Sequence, residues 1–278
     1  MPIQDYRRLY AEEVRTAAPI TSHALLTAFE KVPREKFLGP GPWFAGSREL
    51  ETNDVRDLYH DVTVAIDRER GINNGQPSAL ALWMDALDLA PGDRVFHLGC
   101  GVGYYTAILA EVVGGSGSVA AIEIEPDLAG RARQNLLDYP NVTVHEGDGA
   151  LFDPGVCDAI FINAGVTHPQ ARWLEQLPGY GRTVLPLTTP VPTKRGGRGG
   201  QGAVIRIVRQ RGFSAEFISY AVIYSSSSMR DPLLEAPLAK ALERKALPRL
   251  RSVLLEKHEE TDTCLVHGAD VCLSSAQI

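Results

Sequence analysis

The apolar positions change period along the chain, and those changes mark out its elements. Up to residue 38 they fall at helical spacing, with Leu25, Leu26, Phe29 and Val32 recurring, and Pro33 followed by Gly39-Pro40-Gly41-Pro42 closes the helical part. From Gln76 onward, short β-branched runs alternate with helical stretches. The spacing predicts a helix over 78–89, a strand over 94–98, a helix over 105–113, a strand over 118–122 and a helix over 126–137. Strands over 142–144 and 159–162, a helix near 170–177 and a strand over 182–185 complete the run. Such alternation implies βαβ crossovers and a parallel sheet covered on both faces. Residues 203–209 and 217–224, with Gln210-Arg211-Gly212 near the turn, predict an antiparallel hairpin at the sheet edge. After the serines at 225–228, Asp231-Pro232 caps a helix with Leu234, Leu238 and Leu242 on one face, and short strands follow near 253–255, 264–266 and 271–273.

Composition narrows the class without naming it. The 278 residues are 44% hydrophobic and 22% charged, enough for one large core with an appendage and unlike a disordered, collagenous or disulfide-scaffold chain. The balance of 28 Lys+Arg against 34 Asp+Glu gives a net charge of -6, so no global positive field would draw the protein onto nucleic acid or an anionic membrane. No stretch approaches the roughly 18 to 20 apolar residues of a spanning helix, and the charged start MPIQDYRRLYAEEVRT lacks a secretory apolar core, so a cytoplasmic location is expected. Cys100, Cys157, Cys264 and Cys272 show no C-x-x-C spacing and are read as reduced.

The strongest chemical signal is Val95-Phe96-His97-Leu98-Gly99-Cys100-Gly101-Val102-Gly103-Tyr104, an apolar strand entering G-x-G-x-G and then a helix. Glycines let the backbone approach a ligand, and the helix start offers free N–H groups. The dinucleotide-binding fingerprint is usually G-x-G-x-x-G, which separates this turn from that class. Glu123 ends the next strand, 24 residues after Gly99, where a carboxylate can accept both hydroxyls of a ribose. Asp148, in Glu146-Gly147-Asp148-Gly149 after the third strand, is placed to accept from an adenine amino group. Each acid alone reads first as a solvated loop carboxylate; in register with the glycine turn on successive strand ends they read as a nucleoside site.

With these residues the sequence resembles the class I S-adenosylmethionine-dependent methyltransferases, and within them the protein-L-isoaspartate O-methyltransferase family. Phe29-Glu30-Lys31-Val32-Pro33-Arg34-Glu35-Lys36-Phe37 is similar to that family's N-terminal segment, and Tyr59-His60-Asp61 to its Tyr-x-Asp stretch. Ala90-Pro91-Gly92-Asp93-Arg94-Val95, Gly147-Asp148-Gly149, Asp158-Ala159-Ile160 and Gly181-Arg182-Thr183-Val184-Leu185-Pro186 also match, over about residues 20–225. The resemblance implies an α/β fold: a Rossmann-like doubly wound sheet, mostly parallel with an antiparallel edge hairpin, plus an N-terminal helical flank and a C-terminal accessory α+β extension. The expected division is 1–75 for the flank and a cofactor-covering loop, 76–225 for the methyltransferase domain and 226–278 for the extension.

The resemblance further implies S-adenosyl-L-methionine as cofactor, held by Gly99, Gly101, Gly103, Tyr104, Glu123, Asp148 and Gly149 and covered by Asn73, Asn74, Gly75 and Gln76. The family's loop carries Ile-Ser-x-Pro, and its serine is the residue treated as the active site. Here the stretch reads Gly71-Ile72-Asn73-Asn74-Gly75-Gln76-Pro77-Ser78, and alignment on Gln76-Pro77 puts Gly75 in the serine's place. Methyl transfer from a sulfonium is an in-line displacement, and an acceptor carboxylate is already ionised at neutral pH, so the missing hydroxyl removes positioning and not a required base. Asn73, Asn74 and Gln76 supply amides that could stand in, against the plain reading of Asn-Asn-Gly as a turn.

Asn163, at a strand end that lines the acceptor site in this fold, together with His60, Asp61 and His168, completes the candidate catalytic set. The two histidines would serve as bases for a hydroxyl or amine acceptor, against the plain reading of surface histidines. The expected function is methylation of a carboxylate on a peptide or protein. Two alternatives stand beside it: a methyltransferase for a peptide natural product or small molecule using a histidine base, and a non-catalytic cofactor-binding recognition module. The acceptor is expected to be a peptide, protein or small molecule, with no membrane or nucleic-acid partner. An acid-free run over 176–215 holds seven Lys+Arg, including Thr193-Lys194-Arg195-Gly196-Gly197-Arg198-Gly199-Gly200-Gln201-Gly202. It reads as a loop joining edge strands, as a lid attracting an anionic acceptor, or as an RGG-like RNA contact. A hairpin centred on Gly268 would bring Cys264 and Cys272 together as packed thiols, a disulfide or part of a Cys/His metal site; no metal is assigned.

Overall fold

Tyr10, Ala11 and Val14 recur at three- and four-residue spacing and are buried, which makes Ile3–Ala17 an amphipathic helix, α1. The computed structural model describes residues 1–46, 48–192 and 198–278, which divide into two compact units, Met1–Gly149 and Ala150–Ile278. In the first unit Ser22 caps α2 (His23–Lys31) by accepting the Leu25 N–H, and α3 (Arg34–Leu38) ends at Gly39. The flank is thus helical to Leu38, as expected. Beyond it lie two small antiparallel pairs that the apolar pattern did not signal: β1 (Trp43–Ala45) with β2 (Leu50–Thr52), and β3 (Ala65–Asp67) with β4 (Ile72–Asn73).

Helix α4 (Pro77–Asp85) starts on a proline whose missing N–H costs nothing at that position. Strand β5 (Arg94–Leu98) is buried from its second residue onward, and helix α5 (Tyr104–Val113) is buried on nearly every face. Strand β6 (Ser118–Glu123), helix α6 (Pro126–Asn135) and strand β7 (Val142–Glu146) follow; β6 pairs in parallel with β5 on one side and β7 on the other. Phe96, Leu98 and Ile122 are among the buried side chains of these strands, each contributing about 1.5 to 3 kcal/mol.

The second unit opens with β8 (Ala159–Ile162), buried throughout, and α7 (Ala171–Gln176), and β8 pairs in parallel with β9 (Arg182–Pro190). From there the pairing is antiparallel: β9 to β10 (Gly199–Arg209), and β10 to β11 (Phe213–Tyr224), which is the expected hairpin. Both strands are longer than their apolar runs, so Gly199 to Gly202 lie in β10, paired with β11, instead of in a loop. Thr193 to Gly197, the remainder of the proposed basic loop or lid, lie outside the described residues. In the extension α8 (Pro232–Glu243) is capped by Asp231, which accepts the Leu233 N–H at 2.8 Å, and Leu234 and Leu238 are buried. Strand β12 (Ser252–Leu254) pairs with β11 and with β14 (Cys272–Ser274), and β14 pairs with β13 (Cys264–His267). Among the described residues no helix is long and apolar enough to cross a membrane.

Candidate functional site

The turn leaving β5 is built so that backbone, not side chain, faces outward at Gly101. Its φ of +56° disfavours any L side chain, and a Cβ there would meet nothing within 4 Å. Its N–H donates to the Glu123 carboxylate at 2.7 Å, and Glu125 N–H donates to the other carboxylate oxygen at 3.1 Å. Burial pushes the Glu123 carboxyl up, the N–H groups of Glu125, Gly101 and Ile124 pull it back, and the net shift is upward. A carboxylate offers about four lone-pair sites, so Glu123 keeps acceptor capacity for an incoming hydroxyl. Across the next strand end, Gly149 packs so closely on Leu98 and Ile122 that a side chain would collide with them, which fixes the backbone of half-buried Asp148. Gly103 caps α5 where a Cβ would sit 2.8 Å from Leu136 Cδ1. Tyr104 turns its ring inward, its hydroxyl 3.3 Å from that of Tyr10, so its contribution here is its backbone N–H at the helix start.

The loop over 58–78 is held from three sides. Arg34 is fully buried and donates to the carbonyls of Leu58, His60 and Val62, which shapes the segment carrying His60 and Asp61. Asp61 accepts from Ser78 N–H at 2.7 Å, Ser78 Oγ at 2.7 Å and Gln76 Nε2 at 3.0 Å. It therefore caps α4 from outside and pins Gln76. Arg70 reaches Asp67, Glu125 at 2.7 Å and Asp127 at 2.9 Å, tying the loop to the start of α6 just after Glu123. Within the loop Asn73 Oδ1 accepts the Gly75 N–H at 2.8 Å, and Asn74 Oδ1 accepts the Val64 N–H at 2.8 Å. Asn74 Nδ2 is left buried with no hydrogen-bond partner. Gly75 has φ +76°, and a Cβ there would lie 2.8 Å from Leu80 Cδ2; Tyr105 Oη donates to its carbonyl at 3.4 Å. His60 is exposed and turns to Glu13, 3.1 Å away, on α1.

In the second unit Asn163 follows β8 and is half-buried. His168 Nδ1 lies 2.9 Å from Thr167 Oγ1, and burial holds the imidazole below its ordinary value despite Asp231 and Asp270, which keeps it neutral at neutral pH. Three of the described arginines of the acid-free run are engaged within the unit. Arg206 pairs with Glu216, Arg209 donates to the carbonyls of Glu175 and Leu177, and Arg182 donates to that of Asp158.

In the first unit the structure brings Gly101 onto Glu123, packs Gly149 against Leu98 and Ile122, and holds Gln76 through Asp61. An adenosyl sulfonium cofactor fits these residues on two observations. Glu123 is a buried acceptor with capacity to spare, and Asn74 Nδ2 is a buried donor whose partner is missing, a combination costly to leave in a native fold unless a ligand meets it. Arg34 and Arg70 are the organising residues that sequence reasoning missed. For Arg70 the signal lay in the charged run Asp67-Arg68-Glu69-Arg70 within that loop; Arg34 lay in the segment similar to the family's, where nothing local separates a buried arginine from a solvated one.

The family model for protein-L-isoaspartate(D-aspartate) O-methyltransferase matches residues 8–195. A protein-L-isoaspartate O-methyltransferase 1 of Archaeoglobus fulgidus is 33% identical over 195 residues, 67% of this chain and 82% of its own length. A solved protein-L-isoaspartate O-methyltransferase superposes with a TM-score of 0.66 at 24% identity, covering 90% of this chain and 72% of the other. A Plasmodium falciparum beta-aspartate methyltransferase in complex with S-adenosyl-L-homocysteine gives a TM-score of 0.60 at 17% identity, covering 79% and 97% respectively.

Proposed function

The chain belongs to the protein-L-isoaspartate O-methyltransferase family, S-adenosylmethionine-dependent enzymes that methylate protein carboxyl groups, and from that premise we propose which of its residues carry the reaction. The cofactor, when bound, supplies an electrophilic methyl on a sulfonium. Glu123 holds the ribose hydroxyls, Asp148 the adenine amino group, and the N–H groups at Gly101 and the start of α5 meet the remaining polar edge. Asn73, Asn74 and Gln76 cover the site and position the acceptor in place of the family's serine, with Asp61 holding Gln76. The acceptor is a side-chain carboxylate of a peptide or protein, isoaspartyl in kind. Residues 1–75 act as flank and cover, 76–225 as the methyltransferase domain and 226–278 as an accessory extension.

The observation that carries this reading is the buried Glu123 carboxylate fixed against the Gly101 turn, because it combines family position with the right acceptor chemistry. Ribose binding needs the ionised form, and the Glu123 carboxyl is raised. Cofactor affinity measured by calorimetry therefore falls as pH is lowered through a midpoint above the ordinary glutamate value. Glu123→Gln loses about 1.5 to 3 kcal/mol of binding, roughly tenfold to a hundredfold, and flattens that dependence. Unchanged affinity and an unchanged pH profile in the variant would remove Glu123 from the site.

A second reading, transfer to a hydroxyl or amine with His168 taking the proton, has one observation in its favour. His168 is held neutral by burial and is thus a competent acceptor at neutral pH.

A further inference from the structure

The C-terminal extension lies beyond the residues matched by the family model, and it contains a cluster that methyl transfer does not use. We propose that His258, Cys264, His267 and Cys272 form a four-coordinate zinc site that clamps the end of the chain. Their ligand atoms all lie within 4.8 Å of one another. Tetrahedral zinc with Zn–S of about 2.3 Å and Zn–N of about 2.0 to 2.1 Å sets ligand atoms roughly 3.3 to 3.8 Å apart, so small side-chain rotations complete the sphere.

The backbone assembles the cluster for identifiable reasons. The β13–β14 hairpin turns through Gly268, whose N–H donates to the Val271 carbonyl at 3.0 Å, and its register sets His267 directly opposite Cys272. Cys264 pairs with Ser274, and an irregularity between Cys264 and Val266 shifts the register between these pairs. His258 arrives from the segment before β13, with its ring centroid 4.9 Å from that of His267. Its Nδ1 lies 2.9 Å from the Glu256 carbonyl, which selects the tautomer with a free lone pair on Nε2, and that atom is 3.6 Å from Cys264 Sγ. An imidazole whose second nitrogen donates to a backbone carbonyl is the arrangement metal-binding histidines adopt. His267 Nδ1 is buried with no hydrogen-bond partner.

The donor set selects the metal. Two thiolates and two imidazoles suit zinc and exclude magnesium and calcium, and with a dication the site is electrically neutral. Binding takes one Zn²⁺ and releases the two thiol protons to solvent, with no change of oxidation state. The clamp would tie the irregular segment 255–263, which carries His258, to the β13–β14 hairpin.

Elemental analysis and thiol titration of the purified full chain test the proposal. The expected result is about one zinc per chain, with the site's thiols titratable only after the metal is chelated. Cys264→Ser and His258→Gln each lower zinc content at least tenfold while S-adenosylmethionine binding in the first unit is kept. Should those variants fail to fold, Co²⁺ added to the metal-free wild type gives the thiolate charge-transfer band and tetrahedral spectrum expected of this ligand set. Metal-free protein with all four cysteines reduced, a Cys264–Cys272 disulfide, zinc retained in a Cys264→Ser/Cys272→Ser variant, or no thiolate band with Co²⁺ would each overturn it.

Discussion

Burial acts on Glu123 and His168 in the same sense, toward the neutral form, yet their surroundings give them different uses. Around Glu123 backbone N–H groups from Gly101 and Glu125 offset the desolvation and keep an anion-ready acceptor facing a glycine turn. Around His168 the charges of Asp231 and Asp270 only partly offset burial, and the imidazole stays neutral beside Thr167. A carboxylate acceptor is ionised well below neutrality and has no proton to give up. Hence His168→Gln should leave methyl-ester formation within about twofold between roughly pH 6 and 8, measured by initial rates on a peptide acceptor. A loss of about a hundredfold or more, the size expected on removing a general base, would favour the hydroxyl-acceptor reading instead. His60 was legible in the sequence only as a histidine on a flanking loop; the structure spends it on Glu13.

Among the elements, β5 and β8 match their expected ranges residue for residue, because each carries a short apolar run, broken in β5 only by His97 after Arg94, between turn residues. Hairpins β1–β2 and β3–β4 escaped detection because strands of two or three residues, partly exposed, carry no readable period. The loop between β4 and α4 is the element where family pattern and this chain diverge. Replacing the serine by Gly75 is more than the loss of a hydroxyl. The backbone there has φ +76°, and Leu80 occupies the space a Cβ would need. Gly75→Ser is therefore expected to cost about 1 to 3 kcal/mol in denaturant unfolding and to bring no gain in transfer rate. Full stability together with a faster reaction would mean that the loop readily adopts the family's serine-bearing form. On the proposed reading the positioning then falls to Asn73, Asn74 and Gln76, and the long-range hydrogen bonds that hold this segment, from Gln76 to Asp61 and from Arg34 to the Leu58 carbonyl, are not legible in the sequence.

For the whole molecule, the net charge of -6 says less than where the charges are spent. The acid-free run over 176–215 suggested a positive surface, but Arg182, Arg206 and Arg209 are committed to Asp158, Glu216 and the end of α7. The succession of strands and helices in the methyltransferase part was legible because burial on both faces writes long apolar runs. The extension's chemistry was legible only as residue types, since the register of β13 against β14 decides which side chains meet. The identity of the acceptor is decided by one assay. The full chain is incubated with methyl-labelled S-adenosylmethionine and matched peptides that differ only in carrying isoaspartate or aspartate. A base-labile methyl ester is expected on the isoaspartyl peptide, formed in preference to the aspartyl one. Cofactor binding at the Glu123 site with no ester on either peptide would contradict it.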